Sequence, residues 1–547
     1  VDQALVIQYL RRWNAAEADR LADSVEACEF PPSQDLMIAL SKAKDKMPIS
    51  PVLDENWAVI LLLLGNSPDI QARRLHLGTQ RIPGVLLFLD EMAERTLVMT
   101  ILESLVVGLR SEQLPEATSS AFQTFLEQSS PSVVIQKAST MADLLKAVLA
   151  GRTVLLVDGL PVGLEFTTDG PTARKPSEPD GEPVVRGPKD GFTEVASVNL
   201  SLIRRRLRDD RLRVEELRVG TRSHTRVLLV YMLEVSLPEL VDEVRQRISR
   251  IKIDAVLESG YIEEMIEDQP FSLFPQVKAS ERPDVVVGGI LEGKVAIITD
   301  GTPHVMLVPA TFAAEMQAAE DYYHRWPVSS FMRLLRYGFM FIAFLGPGIY
   351  IAVTTYHNEL IPTTLLLSLI AAREGVPFPS MLEAFFMELT LDALREAGVR
   401  LPKTVGQAIS IVGALVIGES AVRAGLVSPV MVIVVSLTAI ASFLIPLYTM
   451  SLAIRVLRFA MMVLGGFFGL FGIAVGLMLV LIHLISLRSF GIPYLSPMIP
   501  ATAADLKDVF IRVPWWAMRR RPLFMPMEDH QRGQESANRP RIPGLRR

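Results

Sequence analysis

The chain has almost no cysteine. Cys28 stands alone among 547 residues, which excludes an intrachain disulfide framework and a cysteine-rich zinc site. Histidine is scarce as well: the seven are scattered, none falls in an HExxH pattern, and no metal site is expected. There is no P-loop, no GxGxxG after a strand and no GxSxG elbow, the motifs that cradle phosphates or expose a nucleophilic serine. Neither catalysis nor a cofactor is expected. A formal net charge of −5 and a pI near 5.9 give no phosphate-tracking surface, so nucleic acid is not an expected partner. Val1–Arg12 lacks the apolar run that follows a basic start in a secretory signal peptide. The N-terminal half is therefore expected to be cytoplasmic.

What the chain does have is a change of character near Ser330, where mixed and charged sequence gives way to long apolar stretches. A mean hydropathy of +0.32 with 21% charged residues averages two unlike halves. The first half repeats itself. Leu75-His76-Leu77-Gly78-Thr79 matches Leu217-Arg218-Val219-Gly220-Thr221 at an offset of 142 positions. Val85-Leu86-Leu87 matches Val227-Leu228-Leu229, and Gly151–Gly159 matches Gly293–Gly301, at the same offset. Such self-similarity predicts an internal duplication.

Each copy reads as a buried strand (Val85–Leu89; Val227–Tyr231), a helix (Leu97–Val107; Pro238–Ile251) and a second strand (Thr153–Val157; Val295–Thr299). The second strand ends at Asp-Gly and predicts a hairpin into Pro161–Phe166 or His304–Val308. Asp158 and Asp300 are read as turn residues rather than acid sites. The acidic group Glu263, Glu264, Glu267 and Asp268 is read as a solvated helix face before a cation site. The expected layout is a helical extension (1–54), an α/β subdomain (55–166), a proline-rich linker (167–192) and a second α/β subdomain (193–325). The predicted fold class is thus an α+β or α/β soluble half of two duplicated subdomains, followed by an all-α polytopic membrane domain over 330–490. A juxtamembrane segment (491–521) and a disordered basic tail (522–547) close the chain.

Within the membrane block, spans are expected at about 337–355, 404–422, 429–448 and 459–487, each near the roughly 20 residues that a bilayer core requires. The 404–422 span is the weak one, apolar only to Gly418, and 360–372 suits a re-entrant or interfacial piece. Four spans return the Arg519–Arg521 cluster to the cytoplasm, but leave Arg455 and Arg458 on the wrong side; five spans are the alternative. Between the first two spans lies an acidic helix, 383–397, on which Glu383, Glu388 and Asp392 are read as sharing one broad face. Two readings stand: a cation-lining face, or a solvated surface helix. Gln407, Ser410, Gly413 and Glu419 join the candidates for a pore or gate, because polar and small residues at membrane depth mark close helix approach or conduction.

Longer strings carry a resemblance. Arg373-Glu374-Gly375-Val376-Pro377-Phe378-Pro379 is followed by Leu394-Arg395-Glu396-Ala397-Gly398, Arg400-Leu401-Pro402 and Ala424-Gly425-Leu426-Val427-Ser428-Pro429. With Gly65-Asn66-Ser67-Pro68-Asp69, Glu281-Arg282-Pro283-Asp284 and Phe490-Gly491-Ile492-Pro493-Tyr494, these resemble the A-subunit family of GerA-type spore germinant receptors over about residues 55–521. The SpoVAF branch shares nearly all these motifs. The resemblance implies an integral protein of the spore inner membrane that works with a transporter-like B subunit and a lipoprotein C subunit. It further implies a homo-oligomer that opens as a ligand-gated cation channel during germination, or a non-conducting scaffold in the SpoVAF manner.

Overall fold

A computed structural model describes residues 2–13, 16–27, 34–108, 135–170, 178–179, 181–400, 418–501, 505–522, 525 and 531–532. Two five-stranded sheets organise the N-terminal half. The first contains β1 (Ile70–Leu77), β2 (Ile82–Leu89), β3 (Ile135–Ala138), β4 (Thr153–Val157) and β5 (Gly163–Phe166), in the order β1-β2-β4-β5-β3. The second contains β6 (Leu212–Val219), β7 (Thr225–Met232), β8 (Lys278–Ser280), β9 (Val295–Thr299) and β10 (Val305–Val308), in the matching order β6-β7-β9-β10-β8. Every pairing within both is antiparallel, so each unit is α+β.

The central strands read as continuous apolar runs because both faces are covered. Val85, Leu87, Val154 and Leu156 point to the helix-covered face, while Leu86, Leu155 and Val157 point to the other, against Val98 and Ile101. The repeat register needs one correction. Gly84 pairs with Val157 as Val227 pairs with Thr299, so β2 and β7 correspond at 143 positions, not 142. The reason is loop length: residues 78–81 join β1 to β2, whereas 220–224 join β6 to β7. In a strand, a one-residue slip reverses which face each side chain takes. The expected helices are shorter, Arg95–Glu103 followed by a wide turn over Ser104–Gly108, and Pro238–Ser249.

Both Asp-Gly turns do more than reverse the chain. Asp158 Oδ1 accepts from the Leu53 N–H at 3.0 Å, and Asp300 Oδ1 accepts from the Ala196 N–H at 2.9 Å. Each carboxylate thereby satisfies a donor left open at the start of a helix, Leu53–Leu64 or Ala196–Arg206. The N-terminal extension is not a separate piece. Val6, Tyr9, Leu10, Val25 and Leu40, from its helices, enter the core of the first unit, and the Tyr9 hydroxyl donates to the Pro48 carbonyl at 2.6 Å. The linker is not a free spacer either. Thr168 stays on the first unit, its carbonyl accepting from the Glu94 N–H at 2.7 Å, whereas residues 181–192 lie on the second, with Arg282 donating to the carbonyls of Glu182 (3.3 Å) and Pro188 (3.1 Å).

Among the described residues of the C-terminal half, two helices are long and apolar enough to cross a membrane, Trp326–Tyr356 and Tyr448–Ser486. Shorter helices cover Thr363–Arg373, Ser380–Arg400 and Pro429–Phe443. These bounds correct the expected spans. The first long helix begins well before 337 because Arg333 and Arg336 are neutralised inside the protein. Arg333 is fully buried, bonded to Asp321 (3.1 Å) and Asp508 (2.9 Å), and Arg336 bonds Asp321 at 2.9 Å. The stretch expected as one span over 429–448 stops at Phe443, three residues before Pro446, which cannot continue a helix hydrogen-bond ladder. The last helix then starts at Tyr448 and takes in Arg455 and Arg458. The expected 404–422 span lies mostly outside the described residues, as do Gln407, Ser410 and Gly413.

Past the last helix the chain turns back. Tyr494 and Val509 pack with both long helices and with Phe312 of the second unit, and the Phe312 N–H donates to the Tyr494 carbonyl at 2.8 Å. Asp508 is a junction, accepting from the Tyr322 hydroxyl at 2.9 Å as well as from Arg333. Burial pushes its carboxyl above the usual range, with Arg333 opposing that shift.

Candidate functional site

The helix Ser380–Arg400 buries two carboxylates beside Ala384 and Met387 while turning part of its apolar surface outward: Glu383 and Glu388 are each 1% exposed, whereas Phe386 and Leu389 are more than half exposed. A helix in water does the reverse, while a helix among lipids turns its ionisable groups inward to partners. The acidic face is therefore not solvated.

Its partners are arginines from an apolar helix. Arg458 Nη1 donates to both carboxylate oxygens of Glu388, at 2.8 and 2.7 Å. One turn on, Asp392 lies 3.5 Å from Arg455. Moving forward four residues on the acidic helix thus means moving back three on Tyr448–Ser486, so the two helices run antiparallel where the charges meet. Arg395 continues the row, donating to Ser442 Oγ at 3.2 Å and lying 4.6 Å over the Phe443 ring.

Glu383 belongs to a different contact. Five residues turn a helix by about 140° at its 3.6-residue period, so Glu383 does not share the Glu388–Asp392 face expected from the sequence. Its Oε1 accepts from the Ser428 backbone N–H at 2.6 Å and the Ser428 hydroxyl at 2.5 Å. Ser428 caps Pro429–Phe443, and the helix dipole favours a carboxylate there. Arg373 approaches the other oxygen at 3.8 Å. Glu419 is not brought in: it is exposed and pairs with Arg423 at 2.6 Å.

The arrangement clamps four helices with opposite charges buried in an apolar bundle. The sequence reading named the acids and missed their partners. Two arginines three apart in an apolar helix, facing two acids four apart in another, are the signal that could have found them. It also missed a break in the last helix. Gly469 has φ 61° and ψ −147°, far from helical, and the Tyr356 hydroxyl donates to the Gly466 and Phe467 carbonyls beside it, at 3.1 Å each. Among the described residues no cluster of three or more His, Cys, Asp or Glu side chains is placed to hold a metal ion.

A two-sheet head fused to a helical bundle that buries opposite charges defines a head-and-bundle protein with two helices, among the described residues, long and apolar enough to cross a membrane. The family model for the Bacillus/Clostridium GerA spore germination protein matches residues 59–524, and the chain belongs to that family. It is 41% identical over 485 residues to spore germination protein KA of Bacillus subtilis strain 168, covering 88% of each chain. Identity is 44% over 487 residues to the uncharacterised membrane protein YfkQ of the same organism, covering 89% of this chain and 94% of YfkQ. Among solved structures, the N-terminal domain of the A subunit of the Bacillus megaterium spore germinant receptor GerK3 is 30% identical, with a TM-score of 0.39, covering 48% of this chain and 97% of that one.

Proposed function

We propose that this chain is the A subunit of a nutrient-germinant receptor in the inner membrane of the spore. In this reading it is not an enzyme; its cytoplasmic head, a duplicated α+β unit, passes a signal to a polytopic helical bundle. Copies of the chain, with a transporter-like B subunit and a lipoprotein C subunit, open a path for cations. The observation that carries the reading is the buried Glu388–Arg458 pair. A paired charge of this kind costs little while closed and several kcal/mol when one partner is left alone (about 3–5), so it suits a latch between two helix arrangements. The head is wired to the latch helix bundle through Asp321, Arg333 and Asp508.

The test is ion release from spores carrying Glu388→Gln or Arg458→Gln. Each is expected to release cations without nutrient, and the exchange Glu388→Arg with Arg458→Glu to restore nutrient dependence. Single variants that release ions only with nutrient and at the unmodified rate overturn the latch.

A second reading is a non-conducting scaffold that clusters other germination proteins. It is favoured by the neutralisation of Glu388 and Asp392 within the chain, which leaves them no open charge for a passing cation. Planar-bilayer recordings of the purified chain separate the two, since the scaffold gives no conductance.

A further inference from the structure

We propose that the turn 269–274 of the second α+β unit enters the lipid bilayer beside the last long helix, fastening the head to the membrane through Phe271 and Leu273. The inference rests on the reading that the two long helices span a membrane. Phe271 is 100% exposed and Leu273 is 48% exposed. Isolated apolar side chains on a protein surface are ordinary. What sets these two apart is where the fold holds them.

The turn is built rather than loose. The Ser272 N–H donates to the Gln269 carbonyl at 3.0 Å. Gln276 clasps Gln269 from both sides, accepting from its N–H at 3.0 Å and donating to its carbonyl at 2.8 Å. Two contacts then fix the turn to the helix Tyr448–Ser486. Ser272 Oγ hydrogen-bonds His483 Nε2 at 2.9 Å, and the buried Phe274 ring lies 6.1 Å from the His483 ring. With Ser272 and Phe274 committed to the protein, Phe271 and Leu273 face outward.

The anchor point sets the depth. His483 stands before the helix end at Ser486, flanked by the exposed Ile482 and Ile485. Every exposed residue of Tyr448–Ser486 is uncharged, and Arg488 is the first exposed charge past its end. The other long helix agrees: Tyr337 and Met340 share a core with Leu484, and every exposed residue between them and Trp326 is uncharged too. An apolar surface of that kind is one that lipid covers, so a turn held at His483 lies within its reach. The turn suits that place. No ionisable side chain occurs from Gln269 to Val277, and the acids just before are engaged, Asp268 with Arg247 at 2.6 Å and Glu267 with the Gln276 N–H at 3.2 Å. Because the exposed pair continues the lipid-facing surface of the helix, a bilayer fits it better than a second copy of the chain.

The experiment places single nitroxide labels on the full chain in phosphatidylcholine vesicles. Cys28 is the one cysteine, so Cys28→Ser supplies the background for Phe271→Cys, Leu273→Cys, Leu479→Cys and Val185→Cys. Spin relaxation by oxygen, which concentrates in lipid, is compared with relaxation by a water-soluble nickel chelate. Leu479, 61% exposed on the last helix, is the lipid reference, and Val185, 91% exposed beside the second unit, is the water reference. Labels at 271 and 273 are expected to give an oxygen-to-nickel ratio severalfold above that at 185 and close to that at 479. Ratios at 271 and 273 equal to that at 185, with 479 in lipid, overturn the insertion and leave the spanning reading in place. A ratio at 479 equal to that at 185 overturns both. Shielding of 271 from both agents with spin–spin broadening means that a second copy covers the turn, and this too overturns the proposal.

Discussion

Gly348 and Gly465 meet backbone to backbone where the two long helices cross: a Cβ on Gly465 would stand 2.6 Å from the Gly348 carbonyl oxygen. Close approach through small residues is how helices pack when lipid removes the usual hydrophobic drive between them. Gly465→Ala is therefore expected to lower stability by about 1–3 kcal/mol, the range for overpacking, although alanine is the better helix former. Gly338→Ala, in the same first helix but with nothing within 4 Å of its Cβ, is the control and leaves stability unchanged or slightly raised. Thermal unfolding of the purified chain in detergent measures both.

The two α+β units are held by Arg204, 1% exposed, whose Nε donates to Asp69 at 2.8 Å and whose Nη2 donates to Ser67 Oγ at 3.0 Å. Removing one partner of a buried pair strands the other, so Arg204→Ala is expected to cost about 3–5 kcal/mol. The exposed pair Arg222–Asp254, 3.8 Å apart, contributes little in water, and Arg222→Ala is expected to leave the unfolding midpoint in place. Equal effects from the two substitutions would contradict this division of labour.

How far the sequence carried depends on whether a feature is local. The strands β4 and β9 and their hairpins were legible because an apolar run ending in Asp-Gly encodes its own turn. Edge strands β3 and β8 were not, since three or four residues such as Lys278–Ser280 become a strand only when β10 pairs with them. The extra residue between β6 and β7 escaped notice because apolar strands match nearly as well one position out of register. At the candidate site, Glu388 and Asp392 stood out by spacing alone, but Arg458 lies 70 positions away and only helix packing unites them.

Glu263 gives the soluble head a pH dependence. Burial, aided by Glu267, Glu315 and Glu258, pushes its carboxyl up to about 7. A folded value above the unfolded one means that the folded chain binds the extra proton. Its contribution is then fully present below about 4.5 and is lost as pH rises through about 7. Glu263→Gln mimics the protonated form. It is expected to raise the unfolding midpoint at pH about 8 and to change little at pH about 4; an equal shift at both would mean that the carboxyl does not titrate with folding.

The break at Gly469 and the Tyr356 hydroxyl that closes over it make separable predictions. With φ at 61°, Gly469 occupies a region that side chains rarely adopt, and a Cβ there would lie 2.8 Å from His357 Cε1. Gly469→Ala is therefore expected to destabilise the chain through both strain and clash. Tyr356→Phe leaves the backbone free to keep its path but removes the one hydroxyl proton shared between two carbonyls, a loss of about 0.5–1.5 kcal/mol in all. Its effect is expected to be local: faster amide hydrogen exchange over 466–473, with the global unfolding midpoint nearly unchanged. If exchange there matches the unmodified chain, the tyrosine does not hold the break, and the bend belongs to the glycine alone.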